Sequence, residues 1–407
     1  MELSHVSREA IENDTFLSFG ADRLRRLCAA VGLHDEERAI LDAFERVSHP
    51  WNRWPIGARP RWYPSILSDD HAPFELSAAF SAGETEIQWY WEAQGEPPSL
   101  ESNMTTGLSV LQEVAEHYDL PLTRWQSIKD LFIPERPCGL FTILFGVTWG
   151  RRRPPRFKIY LNPYVRGSRA MPALMEEAMG RLGFAKAWAT DCGQRARRGA
   201  KLDELMYICL DLTTDPLARV KVYRRHYQAT VTQIAALASV AKDYLPGDAE
   251  RFYGAVAQHP GPFLSKPPIT SLTFREGDGD RPCSATLEFP ISSYVSDDGA
   301  ASERIERCFT AYGLDPSQYV RAIHAIATRP LNEGNGIHAH ITHRRVDGAP
   351  RLTAYFATEA YGVEEAQWET QPASLRSPNS VRLVERPAGD GPEPAPDSHH
   401  FPPRTAA

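Results

Sequence analysis

The chain has 407 residues, with 45 Lys and Arg against 52 Asp and Glu, a formal net charge of −7 and 42% hydrophobic residues. That is enough apolar material for a large core without disulfide staples, and too acidic for a domain-wide nucleic-acid footprint. No apolar run reaches the length of a membrane span, and MELSHVSREAIEND lacks a basic start followed by an apolar stretch, so a soluble cytoplasmic protein is expected. The six cysteines are scattered, with no short pairing that would read as a zinc or redox motif.

Taken in chain order, residues 22–47 show helical spacing of apolar positions. A strand at 73–80 (PFELSAAF) is followed by an alternating strand at 86–93 (EIQWYWEA) and by a helical stretch over 104–118. The same order returns with strands at 139–147 and 156–163 and a helix over 170–184. It returns again with strands at 204–212 and 219–226, then helices over 230–244 and 248–259. Strands at 269–276 and 284–291 precede helices over 302–314 and 317–328, and strands at 336–343 and 351–358 complete the series. The expected organisation is an N-terminal helical segment over 1–66, a five-repeat unit over 67–363, and a C-terminal tail over 364–407. The tail is rich in Pro, Gly and charge and is expected to be disordered from about 378.

The second strands share a frame. Gln88, Lys158, Lys221, Thr286 and Thr353 occupy equivalent positions, at intervals of 70, 63, 65 and 67 residues. Two residues on come Tyr90, Tyr160, Tyr223, Glu288 and Tyr355, and two residues earlier Arg156, Arg219 and Arg351. The alternate positions are apolar, among them Trp89, Trp91, Phe157, Ile159, Val220, Val222, Leu287, Phe289 and Phe356. One such strand would suit a sheet with a solvent face. Five in register, with helices available to cover the apolar sides, predict ten antiparallel strands closed into a barrel whose lumen is polar.

Arg156, Lys158, Arg219, Lys221 and Arg351 would then form a confined positive cluster suited to a diphosphate, with Gln88 as a neutral contact. Tyr90, Tyr160, Tyr223 and Tyr355 would offer aromatic faces to a carbocation. Cations for a leaving diphosphate, rings for the allyl cation and a barrel to exclude water describe prenyl transfer. No DDxxD motif occurs; Asp69 with Asp70 and Asp297 with Asp298 read as turn residues. His338 and His340 alternate on one strand, a spacing that can hold zinc, but with Thr286 and Glu288 they read better as lining of the acceptor pocket.

On these residues the chain resembles the aromatic prenyltransferases of the dimethylallyltryptophan synthase type over about residues 20–363. The most specific stretch is SDDHAPFELSAAF at 68–80. The resemblance implies an α+β fold, the αββα-repeat prenyltransferase barrel of ten antiparallel strands ringed by helices. It also implies an allylic prenyl diphosphate as donor, an indole-containing small molecule of secondary metabolism as acceptor, and no obligatory metal or other cofactor. Glu75 is implied to accept the indole N–H. Gln88 stands where the family commonly has Arg, and Ile143 and Phe145 stand where some members carry a Lys. A non-catalytic barrel carrying a hydrophobic or phosphorylated ligand, and a hydrolase using His338 and His340, are the competing readings.

Overall fold

The computed structural model describes residues 8–60, 65–195, 197–213 and 218–361; the expected C-terminal tail lies outside them. Ten strands alternate with pairs of helices. The chain enters through α1 (Arg8–Glu12), α2 (Phe16–Val31) and α3 (Glu37–Ser48), then runs β1 (Phe74–Ser81), β2 (Glu84–Trp91), α4 (Leu100–Tyr118) and α5 (Thr123–Phe132). There follow β3 (Ile143–Gly150), β4 (Arg156–Leu161), α6 (Met171–Arg181), α7 (Ala185–Arg195), β5 (Asp203–Asp211) and β6 (Arg219–His226). The remainder is α8 (Val231–Ala238), α9 (Asp248–Val256), β7 (Ile269–Arg275), β8 (Ser284–Phe289), α10 (Asp298–Ala311), α11 (Ser317–Ile326), β9 (His338–Val346) and β10 (Ala349–Phe356). Every strand pairs antiparallel with its sequence neighbours, and β1 pairs with β10, which closes the barrel.

Local chemistry sets the element ends. Ser99 and Ser102 cap the start of α4 reciprocally, as Thr230 and Gln233 do for α8, and the Asp297 side chain accepts the Ala300 N–H at the start of α10. The β9–β10 hairpin turns on Asp347 and Gly348, with φ of 50° and 79°, the two positive values that a two-residue type I′ turn requires. Because each odd strand turns directly into the next even one, all five hairpins lie at one end of the barrel.

The apolar layer lies between barrel and helices, as the alternation predicts. Phe44 of α3 meets Phe74 edge to face at 5.4 Å, Trp89 stacks on Trp149 at 6.2 Å, and Trp91 stacks on Phe145 at 5.2 Å. Two irregularities alter the phase. Between β9 and β10 the pairing steps from Ile341 with Ala354 to His338 with Phe356, three residues against two. A slip of one residue exchanges the faces of a strand, so His338 points outward. A comparable step in β5 sets Leu205 opposite Arg224 and Tyr207 opposite Tyr223. No helix among the described residues is long and apolar enough to cross a membrane.

Candidate active site

The lumen holds a chamber, and the second strands supply it in the predicted frame: Gln88, Tyr90, Arg156, Lys158, Tyr160, Arg219, Lys221, Tyr223, Thr286, Glu288, Arg351, Thr353 and Tyr355 all line it. The strand-to-strand register stacks these residues in levels. Those toward the hairpins are basic, and those toward the other end are aromatic and then acidic.

At the hairpin end, three of the expected diphosphate ligands already have carboxylate partners. Arg156 donates to Glu86 at 2.6 Å, and Arg351 donates to the other oxygen of the same carboxylate. Burial opposes the charge on Glu86, yet the two guanidiniums overcome it and hold the carboxyl down at about 2. Arg219 forks onto Asp211 through Nε at 2.7 Å and Nη2 at 3.4 Å. Lys158 and Lys221 have no such partner among the described residues, and neither has Arg344 of β9, which lies between Thr286 and Arg351 across the sheet. All three are half-buried and face the chamber. Burial, then the neighbouring Arg219, lowers the Lys158 ammonium to about 8, and burial with Arg219 and Arg351 lowers Arg344 to about 9. Burial and the Arg219 and Arg344 charges push Lys221 well below the usual lysine range. Six basic side chains are thus set against the carboxylates of Glu86 and Asp211. Crowded like charges that outnumber their carboxylate partners form a ready anion site.

Above the cations the phenols form a continuous surface. Tyr90 contacts Tyr355 at 5.7 Å and Tyr160 at 6.0 Å, Tyr160 contacts Tyr223 at 5.9 Å, and Tyr207 completes the set at 5.3 Å from Tyr223. Lys158 Nζ lies 5.7 Å from the Tyr90 ring centre, and Lys221 Nζ lies 5.9 Å from that of Tyr223, so a cation already rests against the π faces. Gly146 makes room for two of the rings, since a Cβ there would lie 2.9 Å from Tyr90 Cδ1 and 3.3 Å from Tyr160 Cε2. Gln88 accepts the Tyr90 hydroxyl at 2.6 Å. The Thr286 hydroxyl is buried without a partner.

Beyond the tyrosines, Glu75 on β1 sits opposite Tyr90 and is buried. Burial first, then the charges of Asp69, Glu288 and Asp70 against that of Lys266, holds its carboxyl well above the usual range. Glu288 and His340 face each other at 3.0 Å. Asp69 pairs with Lys266 and accepts from Ser292.

Four expectations change. His338 is outside the chamber: its Nδ1 is 2.9 Å from Asp298, its Nε2 is 2.7 Å from the Tyr319 hydroxyl, and it braces β9 against α10 and α11. The β9 bulge separates it from His340, so the two cannot share a metal on one face. Ile143 and Phe145 also face the helices, and Leu144, Gly146 and Thr148 are inward residues of β3. Asp70 and Asp298 are more than turn residues: Asp70 accepts from Ala72, Ala360 and Thr358, and Asp298 ties Arg329 to β9. Arg344, Tyr207, Glu86, Asp211 and Gly146 were missed. Period-two alternation in 204–212 pointed to Tyr207 and Asp211, whereas Arg344 lay one residue beyond the expected strand end. Among the described residues no three His, Cys, Asp or Glu groups are arranged to hold a metal ion.

A closed barrel of five strand pairs, basic below and aromatic above, defines a prenyltransferase barrel. No family model matches the chain, but solved structures do. The 6-dimethylallyltryptophan synthase from Micromonospora olivasterospora, in complex with DMASPP and Trp, is 32% identical with TM-score 0.81, over 86% of this chain and 99% of that one. A 6-dimethylallyl tryptophan synthase is 33% identical with TM-score 0.80, over 87% and 99%. The 5-dimethylallyl tryptophan synthase from Streptomyces coelicolor, in complex with DMASPP and Trp, is 28% identical with TM-score 0.77, over 86% and 97%. The chain belongs to the dimethylallyltryptophan synthase family of aromatic prenyltransferases.

Proposed function

We propose that the protein transfers a dimethylallyl group from its diphosphate to the indole of tryptophan, at a carbon of the benzenoid ring, without an obligatory metal. The observation that carries this is the set of three recessed cations without carboxylate partners, Lys158, Lys221 and Arg344, directly beneath the tyrosine surface. The similar solved enzymes named for tryptophan 5- and 6-dimethylallylation support the acceptor and the ring.

In this reading the diphosphate settles on the three free cations, while Arg219, Arg156 and Arg351, tethered by Asp211 and Glu86, supply a fixed field. The allylic C–O bond breaks and its electron pair stays with the diphosphate. Charge that develops there meets donors already in position, and each is worth about 3 kcal/mol by analogy with other preorganised anion sites. The allyl cation lies against Tyr90, Tyr160, Tyr223 and Tyr355, which shield it from water. Glu75 accepts the indole N–H, raising the electron density of the ring that attacks. Glu288, Thr286 and His340 line the acceptor side. A cytoplasmic setting belongs to the same proposal and is checked by fractionation.

The test is mass spectrometry of the products from tryptophan and dimethylallyl or geranyl diphosphate, with and without EDTA. Prenylated tryptophan formed equally in both conditions is expected. A protein that binds the diphosphate but yields no product is the carrier instead, and loss of activity in EDTA overturns metal independence.

A further inference from the structure

The chamber is polarised along its axis. The cations crowd the hairpin end, whereas Glu288 and Tyr355 line the other end, and there His340 meets Glu288 and lends its charge to Asp69. Its Nδ1 lies 3.0 Å from Glu288 Oε1, at an angle too oblique for a directed hydrogen bond, and its ring stands edge-on to Tyr355 at 6.4 Å. The Asp69 carboxyl is held at about 2 against burial, by Lys266 and next by His340. Glu75 is on β1 and His340 on β9, with only β10 between them. Two strand spacings, about 10 Å, separate their backbones. An indole held by its N–H at Glu75 would turn its benzenoid edge toward the β9 side.

Alkylation leaves a proton on the attacked carbon that must depart. The surrounding groups are poorly suited to take it. Burial, with neighbouring negative groups, raises the Tyr223 and Tyr355 phenols well above their usual range, so no phenolate is at hand. Lys158 and Lys221 face the diphosphate, and Glu75 is occupied by the N–H. We propose that His340, oriented by Glu288, accepts this proton. The inference rests on the dimethylallyl transfer reading above. The C–H bond at the alkylated carbon breaks, its electron pair restores the aromatic ring, and a new N–H bond forms at Nε2 of His340. The Glu288 charge, 3.0 Å from Nδ1, acts on the ring by its field and not by a directed hydrogen bond, and Nε2 is the nitrogen assigned to take the proton. The imidazolium that results is stabilised by Glu288 and Asp69, then passes its proton to solvent. Glu288 is in this sense a positioning residue.

The experiment compares the wild type, His340→Gln, His340→Gly and Glu288→Gln with ordinary tryptophan and with tryptophan deuterated at every ring carbon. Deprotonation that follows irreversible C–C bond formation shows no primary isotope effect in the wild type. His340→Gln is expected to lose on the order of a hundredfold in turnover and to gain a normal primary isotope effect, with pyrophosphate affinity unchanged. Glu288→Gln shows a smaller loss with the same isotope effect, and added imidazole restores part of the His340→Gly rate. A His340→Gln enzyme at the wild-type rate overturns the role of His340 alone, as does a slow one whose isotope effect stays absent. A wild type that never alkylates tryptophan overturns the reaction itself.

Discussion

Burial moves Lys158 and Glu75 in opposite directions on the pH scale, because in each it disfavours the charged form: the ammonium is lowered to about 8 and the carboxyl is raised. Diphosphate needs the ammonium protonated, so kcat/KM for the donor should fall as pH rises through about 8. The indole N–H needs the carboxylate ionised, so kcat should fall on the acid side at a pH above the usual carboxylate range. A pH profile in the wild type and in Glu75→Gln checks both limbs: the variant should lose the acid limb and on the order of a hundredfold in turnover. A flat profile from pH 5 to pH 10 would contradict both assignments. Lys158→Ala and Lys221→Ala should each cost a hundredfold or more in turnover. Each removes a cation crowded by neighbouring positive charges, so their melting temperatures should equal or exceed that of the wild type. A stability loss large enough to explain the activity loss would refute the diphosphate role.

The bulge in β9 decides which of two neighbouring histidines turns toward the barrel interior. His338, turned outward, shares Asp298 with Arg329 and with the backbone N–H groups of Ile337 and His338. Removing that carboxylate leaves two buried amides and the His338 imidazole without their partner, while Arg329 keeps Glu359. Asp298→Ala should therefore destabilise by about 3–5 kcal/mol, read by denaturant unfolding. His340→Ala, on the chamber side, should change stability little. On β3, Gly146→Val would drive a side chain into Tyr90 and Tyr160 and tilt the shield. The expected result is a folded enzyme with more prenyl alcohol from hydrolysis per product formed, measured by chromatography of both. An unchanged partition would show that the rings adjust freely.

At the scale of the molecule, the hairpin end of the chamber sets six basic side chains against the carboxylates of Glu86 and Asp211 inside an otherwise acidic protein. An anion that fills it relieves repulsion in the folded state and has no comparable site in the unfolded one. Pyrophosphate without any divalent ion should therefore raise the melting temperature, by an amount equivalent to about 2.7 kcal/mol at one hundred times its Kd. The shift should shrink with added salt. No shift in EDTA-treated protein would mean that a metal must accompany the anion. The closed sheet matters here because it holds cations from four different strands at fixed separation without needing any one loop to close.

The sequence by itself determined the repeat, the alternation and hence the lumen. A period of about 66 residues and a two-residue phase are properties of the chain alone, so Lys158, Tyr160, Lys221, Tyr223 and Tyr355 could be assigned to one face in advance. Glu75 was legible only through its resemblance to a family stretch, because a single carboxylate carries no period. Tertiary structure decided everything that depends on contact between strands far apart in the chain. Glu86 neutralises Arg156 and Arg351 from 70 and 265 residues away, Arg344 joins the free cations through its register with Thr286, and one extra residue in β9 turns His338 out and leaves His340 within. Alternation predicts a face only while the count of residues is unbroken, and charge predicts a ligand only until a partner is known. Bulges and ion pairs are both set by strand pairing, which no local pattern encodes.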